Sequence, residues 1–171
     1  MLEIMKIAER SETELYSPSS PADVITQYQD TVYRIAFTYC KKASDAEDIT
    51  QEVFLRYIKS KNKFNDEEHL KAWLIRVAVN VSKSLLRSAW FKKTVSISEY
   101  ENLCAEEQEE TDTYYAVLSL PDKYRSVVLL YYFEDYTVKE IAKILRRSEA
   151  AIQIQLHRAR AILKEKLKEE Q

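Results

Sequence analysis

The chain has 171 residues, with 26 lysines and arginines against 28 aspartates and glutamates. Hydrophobic residues make up 46% and charged residues 32%, the balance of an ordinary globular chain holding one domain or two small ones. It has 0 glycines, 3 prolines and 12 tyrosines; hairpin turns, phosphate-binding loops and dinucleotide folds depend on glycine, so they are excluded in favour of an all-α fold.

Residues 1–20 carry little pattern and end in SPSSP. They read as an N-terminal extension, frayed or holding a short docked helix at Leu2–Ile7. Over Ala22–Cys40, Val24, Ile25, Tyr28, Val32, Ile35, Ala36 and Tyr39 recur at helical spacing. Ser44, with Glu47 three residues later, predicts a capping box at the start of a second helix. Ile49, Val53, Phe54, Tyr57 and Ile58 form the apolar stripe of that helix. Asp45, Glu47, Asp48, Gln51, Glu52 and Arg56 decorate its other side. The set is either a solvated face favoured by the helix dipole or a protein-docking surface.

A third helix, capped by Asn65 or Asp66, is expected over Glu67–Ala89. Leu70, Trp73, Leu74, Val77, Ala78, Val81 and Leu85 are its inward positions. Arg76, Asn80, Lys83 and Arg87 are four, three and four residues apart and so share one face. Such a stripe is a nucleic-acid footprint or an ordinary charged face. Trp90-Phe91-Lys92-Lys93 extends it. From Lys71 to Lys93 there are six basic residues and no acidic one; from Glu99 to Asp112 there are seven acidic residues and no basic one. The net charge of -2 therefore hides strong segregation, and local field matters more than the sum to a polyanionic partner. After a brief extended stretch at Val95–Ile97, residues 95–112 read as an acidic linker.

A second domain spans 113–171. Tyr114, Val117, Leu118 and Leu120 form a first helix, and Pro121 is expected at the first position of the next, Pro121–Phe133. Thr137 and Glu140 predict a capping box. Ile141–Leu145, a three-residue turn and Ile152–Leu156 predict a helix-turn-helix, with Ser148 capping the final helix. Ile152, Leu156, Ala159, Leu163 and Leu167 should face inward on it.

The two histidines, His69 and His157, lie far from Cys40 and Cys104, so no metal, cofactor or catalytic triad is expected. Cys40 reads as a buried apolar group. No apolar run approaches 18 residues and no secretion signal is evident. A non-enzymatic cytoplasmic protein without membrane insertion is the expectation.

Four segments carry a family likeness: YQDTVYRIAFTYCKKASDAEDITQEVFLR (28–56), HLKAWLIRVAVNVSKSLLR (69–87), LSLPDKYRSVVLLYYFEDYTVKEIAKIL (118–145) and SEAAIQIQLHRARAILKEKL (148–167). In combination the chain resembles the extracytoplasmic-function class of bacterial RNA polymerase sigma factors, sigma-70 superfamily. The resemblance implies a region 2-like domain over 21–94 and a region 4-like domain over 113–171. It implies that Asp45, Glu47, Asp48, Gln51, Glu52 and Phe54 bind core RNA polymerase. Trp73, Arg76, Asn80, Lys83 and Arg87 would hold the melted promoter strand. Arg146, Arg147, Ser148, Gln153, Ile154, Gln155, His157, Arg158 and Arg160 would contact duplex promoter DNA upstream. An anti-sigma factor is the implied regulator. The chain departs from the family at Val79, where arginine is common, and at Ser84, where aspartate is. Arg146 and Ala150 replace common glycines, and Gln153 and Gln155 replace lysine and arginine. Two other readings of the residues are a helix-turn-helix regulator independent of polymerase, and a sigma-like protein acting mainly through protein contacts.

Overall fold

A computed structural model of the chain describes residues 20–88 and 115–169. The N-terminal extension up to residue 19, the expected extended stretch at Val95–Ile97, the acidic linker and the Trp90–Lys93 patch lie outside the described residues, as does the side chain of Leu167.

The first group of helices is α1 (Pro21–Cys40), α2 (Ala43–Lys59) and α3 (Glu67–Arg87). The second is α4 (Asp122–Tyr132), α5 (Val138–Leu145) and α6 (Glu149–Glu169), preceded by one helical turn at 115–118. Ser20 caps α1, its Oγ accepting from the Asp23 amide at 3.2 Å. Asp66 caps α3 by accepting from the His69 amide at 2.7 Å. Each bond satisfies an amide that the helix itself leaves unpaired.

The predicted box at Ser44 does not form. Helix α2 starts a residue earlier, at Ala43, behind an extended Lys42 that supplies no side-chain cap. The cause is the preceding residue. Lys41 takes a left-handed conformation (φ 57°) and turns the chain straight from α1 into α2, so Ser44 already lies inside the first turn. Pro121 likewise stands just outside α4 and not at its first position.

The buried apolar side chains of both groups form one continuous cluster. Val24, Tyr28, Val32, Ile35 and Ala36 of α1 are buried as the periodicity predicts, Cys40 is buried as expected of it, and Phe37 and Thr38 are buried although the periodicity does not predict them. The last turn of α1 is covered on a second side by α4, where Tyr124–Leu130 are all buried. Each fully buried Ile or Leu there contributes roughly 1.5–3 kcal/mol. On α3, Leu70, Leu74 and Ala78 are buried as expected, but Ile75, Val79 and Ser82 replace Trp73, Val77 and Val81 on the most buried line. The inner face of α3 is rotated because α5 packs on it as well as α1 and α2. That burial accounts for an apolar Val79.

Candidate functional site

Helix α2 offers one surface. Glu47, Asp48 and Gln51 are exposed on it, and Glu52 pairs with Arg56 one turn on at 2.7 Å. Asp45 does not join them: only 6% of it is exposed. The tight connection at Lys41–Lys42 folds the first turn of α2 back on the end of α1. Burial and the nearby Asp45 carboxylate push the Cys40 thiol up to about 11, which leaves it an inert apolar group. Beside the acidic row, α1 and α2 enclose a groove of about 360 Å³ lined by Ile25, Gln29, Thr50, Gln51, Phe54, Leu55 and Ile58. Phe54 forms part of its wall while being itself buried, whereas Leu55 and Ile58 are 47% and 54% exposed. Sequence reasoning placed Ile58 in the core and passed over Leu55. Two large apolar residues three apart beside an acidic row were the available signal.

Helix α3 carries the second surface. Trp73 is half-buried in an aromatic cluster, edge-on to Phe64 at 5.7 Å and tilted against Tyr57 at 6.4 Å. His69 packs edge-on to Phe64 at 5.5 Å. The cluster fixes the indole by contacts on its own domain. Asn80 and Arg87 are exposed, and Lys83 is half-buried. Arg76 has left the stripe's open surface: its Nε donates to the Ile144 carbonyl at 2.8 Å and its Nη2 to the Lys143 carbonyl at 3.0 Å.

Those carbonyls end α5, the first helix of the helix-turn-helix. Thr137 and Glu140 form the predicted capping box at its start. The Thr137 Oγ1 accepts from the Glu140 amide at 3.3 Å, and the Glu140 carboxylate accepts from the Thr137 amide at 2.8 Å. At the other end Arg146 takes a left-handed conformation (φ 53°), and the Arg147 amide reaches back to the Ala142 carbonyl at 2.9 Å. This is the position where glycine normally stops a helix at least cost. Ser148 then caps α6, its Oγ accepting from the Ala151 amide at 3.2 Å.

On α6, Ile152, Leu156 and Ala159 are buried, which turns Gln153, Ile154, His157, Arg158 and Arg160 outward. Gln155 is half-buried, and its amide oxygen accepts from Arg147 Nη1 at 2.8 Å. Arg160 donates from Nε to the Tyr132 hydroxyl at 2.7 Å and lies over the rings of Tyr131 and Tyr132 at 5.8 and 5.9 Å. The packing of α3 on α5 brings the two basic sets together. Burial, then the charge of Arg146, lowers the pKa of Arg76. Burial, then Arg147 and Arg87, lowers that of Lys83. Both shifts follow from desolvation and like charge.

Two residues that pattern reading passed over tie the groups together. Arg125, 6% exposed, donates from Nη1 to the Thr38 carbonyl at 2.8 Å and from Nε to the Leu120 carbonyl at 2.7 Å, and pairs with Asp122 at 2.7 Å. The Glu134 carboxylate accepts from Arg34 at 3.0 Å and from Thr31 at 3.3 Å, with Lys71 3.7 Å away. A lone arginine before the apolar run VVLLYY was the signal for the first. Nothing local marks the second.

The helical pairs and the helix-turn-helix match two family models, Sigma-70 region 2 over residues 24–92 and Sigma-70, region 4 over residues 112–163. These define the class: sigma-70-type proteins with both regions on one chain. Among relatives, the chain is 32% identical over 152 residues to the ECF RNA polymerase sigma factor SigM of Bacillus subtilis (strain 168), covering 83% of this chain and 91% of that one. It is 26% identical over 166 residues to SigW of the same strain, covering 86% and 89%. In fold it is similar to the sigma factor RpoE from Bartonella quintana, solved with the anti-sigma factor NepR, at a TM-score of 0.71 and 22% identity over 86% of this chain and 96% of that one. CnrH, solved with the cytosolic domain of CnrY, gives 0.65 at 20% identity over 88% and 89%. The chain belongs to the extracytoplasmic-function RNA polymerase sigma factors. Its function is to direct core polymerase to promoter DNA for transcription initiation. Sigma factors are initiation factors and not enzymes. Among the described residues no helix is long and apolar enough to cross a membrane.

Proposed function

We propose how this sigma factor divides its work among its surfaces. Core RNA polymerase docks on α2 through Glu47, Asp48, Gln51 and Glu52 and inserts an apolar side chain into the groove walled by Phe54, Leu55 and Ile58. Asp45 serves the same surface from beneath, by holding the first turn of α2. The melted strand lies along α3, on Trp73, Asn80, Lys83 and Arg87, with Arg76 joining when it is released. Duplex DNA meets the second helix-turn-helix element through Gln153, Ile154, His157 and Arg158, flanked by Arg146, Arg147 and Arg160. Gln can take adenine by two hydrogen bonds, and an isoleucine can meet a thymine methyl. Ser148 contributes by fixing the start of α6. The working parts run over 21–94 and 113–171, with 95–112 between them. We assign the chain no catalytic chemistry and place it in the cytoplasm with the polymerase. An anti-sigma factor is its regulator.

The observation that carries the proposal is the segregation of the two chemistries. A groove large enough for a partner side chain adjoins acidic α2, while cations collect on α3, α5 and α6. A helix-turn-helix regulator working without polymerase would leave the groove and the acidic row without a role. One observation narrows the part of α6: Gln155 is already engaged by Arg147, so base reading falls on Gln153 and Ile154. Run-off transcription with purified core enzyme tests the proposal. The expected result is initiation at defined start sites that depends on the α2 surface; absence of both specific initiation and core binding at low salt would overturn it.

A further inference from the structure

Two glutamines stand two residues apart on α6, Gln153 and Gln155, and by residue type they are equivalent readers of a base edge. The fold makes them unequal. Gln153 is exposed, and among the described residues no hydrogen bond holds its amide. Gln155 is half-buried, and its amide oxygen accepts from Arg147 Nη1 at 2.8 Å. Two residues turn a helix by about 200°, so the two side chains leave opposite flanks of α6 and cannot stand in for each other.

Arg147 is placed to keep its grip. Its backbone is fixed in the turn, where its amide donates to the Ala142 carbonyl at 2.9 Å. From there its side chain reaches eight residues ahead along the chain, to the second turn of α6. It is half-buried, which limits the water competing for its donors. The Lys83 ammonium of α3 lies near enough for the two charges to act on each other, and a cation offers Arg147 no alternative acceptor.

The chemistry of the bond decides what Gln155 has left. A guanidinium carries five donors and no acceptor, so the atom facing it is the amide oxygen, and the orientation of the amide is set. Reading adenine takes both ends of a glutamine: the oxygen accepts from N6 while the nitrogen donates to N7. The oxygen has a second lone pair, but a base donor approaching it meets the positive charge of Arg147. Freeing the amide breaks a hydrogen bond to a charged group, which costs about as much as a good bidentate base contact returns. Cost and gain cancel.

We infer that Arg147 is a specificity-determining residue: by holding the Gln155 amide oxygen it silences Gln155 as a reader of adenine, so the base pair beside Gln155 is left unread while Gln153 reads freely. This rests on the reading of α6 as the helix that meets upstream duplex DNA.

The test uses holoenzyme reconstituted from core polymerase and the full-length chain. It binds a fluorescein-labelled upstream promoter duplex in competition with duplexes in which each base pair is changed in turn. Relative affinity across this panel is the readout, because loss of a phosphate contact by Arg147 lowers all members alike. Wild type should show no adenine preference that Gln155→Ala removes. Arg147→Ala should gain an adenine preference of about fivefold or more at one base pair, and Arg147→Ala combined with Gln155→Ala should lose it again. Should Arg147→Ala lower the melting temperature, Arg147→Met, which keeps the apolar stem and removes the donors, should show the same gain. No new preference in either folded variant overturns the inference. So does an adenine preference already present in wild type and abolished by Gln155→Ala and by Arg147→Ala alike, since Arg147 would then aim Gln155 and not silence it. Gln153→Ala and Ile154→Ala tell the two possible failures apart. If they alter base preference while the Arg147 variants do not, only the silencing falls. If they too leave the panel unchanged, α6 does not read the duplex and both fall.

Discussion

The acidic row on α2 and the basic rows on α3 and α6 are both charges at helical spacing, yet they are held in opposite ways. On α2 Glu52 pairs with Arg56, one turn apart and exposed on both sides. On the basic side, Arg76 binds the end of another helix, Arg147 binds Gln155, and Arg160 binds Tyr132. The acidic surface is complete within one helix and its neighbour α1. The basic surface is spread over two groups of helices, and several of its members are already held by other groups of the chain. A preformed surface spends little free energy on rearrangement when it binds, and a preoccupied one spends more. On the proposed assignment, the molecule presents a ready face to protein and a conditional face to DNA.

The largest expected effect breaks the ready face. Leu55→Asp with Ile58→Asp places two carboxylates in the apolar groove without disturbing the core, because both side chains are about half exposed. Loss of a desolvated apolar anchor typically costs about 2 kcal/mol or more, so core polymerase should bind on the order of 100-fold more weakly. Thermal stability should stay close to wild type. Fluorescence titration with core enzyme and a melting curve check the two halves. Equal affinity would show that the groove is not part of the docking surface.

The next prediction strikes the conditional face through its scaffold. Thr137→Ala removes the cap of α5, whose far end holds Arg76, and should cost about 1 kcal/mol in denaturant unfolding. It also changes the acid limb. Hydrogen bonds from Thr137 hold the Glu140 carboxyl below its usual value. Its contribution to stability is therefore complete above the unfolded-state pKa and lost as pH falls through the folded-state one. In Thr137→Ala the stability curve should flatten in that acidic window. The group is exposed, so the change in slope will be modest.

This contrast also explains what could be read from the sequence. The capping box at Thr137, the cap at Ser148 and the inward positions Ile152, Leu156 and Ala159 depend on residues within one turn or one helix face, and all were legible. So was the all-α fold in two helical groups, because a chain without glycine leaves few alternatives. The cap expected at Ser44 failed because a neighbouring residue, Lys41, turned left-handed, which no short pattern announces. Burial of Phe37, Thr38, Ile75, Val79 and Arg125 was not legible, since it depends on the packing of helices that lie far apart in sequence. Of the candidate site, the row on α2 was visible apart from Asp45. That the α3 stripe and the arginines of the turn share one seam is a tertiary fact.

A smaller effect sharpens the account of α3. The Ser82 hydroxyl is fully buried and has no hydrogen-bond partner among the described residues. An unsatisfied buried polar group is costly, and alanine is the better helix former. Ser82→Ala should stabilise the chain by roughly 0.5–1 kcal/mol, read as a shifted denaturant midpoint with an unchanged slope. Because the residue points into the core, single-strand affinity should not change. A loss of affinity would mean that Ser82 takes part in strand binding.

The smallest change in stability comes from Arg146→Gly, and it tests the comparison at its most exposed point. A left-handed arginine costs about 1–2 kcal/mol, while glycine costs roughly 0.4–1 kcal/mol through the greater freedom of the unfolded chain. The net gain should be a few tenths of a kcal/mol to about 1 kcal/mol. The substitution also removes a charge that opposes Arg76 across the seam. If Arg146 contacts a phosphate of the upstream duplex, the salt dependence of duplex binding should fall by about one unit of slope, and affinity should weaken uniformly across sequences. Stability and DNA affinity would then move in opposite directions from a single residue. A gain in stability with an unchanged salt slope would assign Arg146 to the fold alone and leave the phosphate contacts to Arg147 and Arg158.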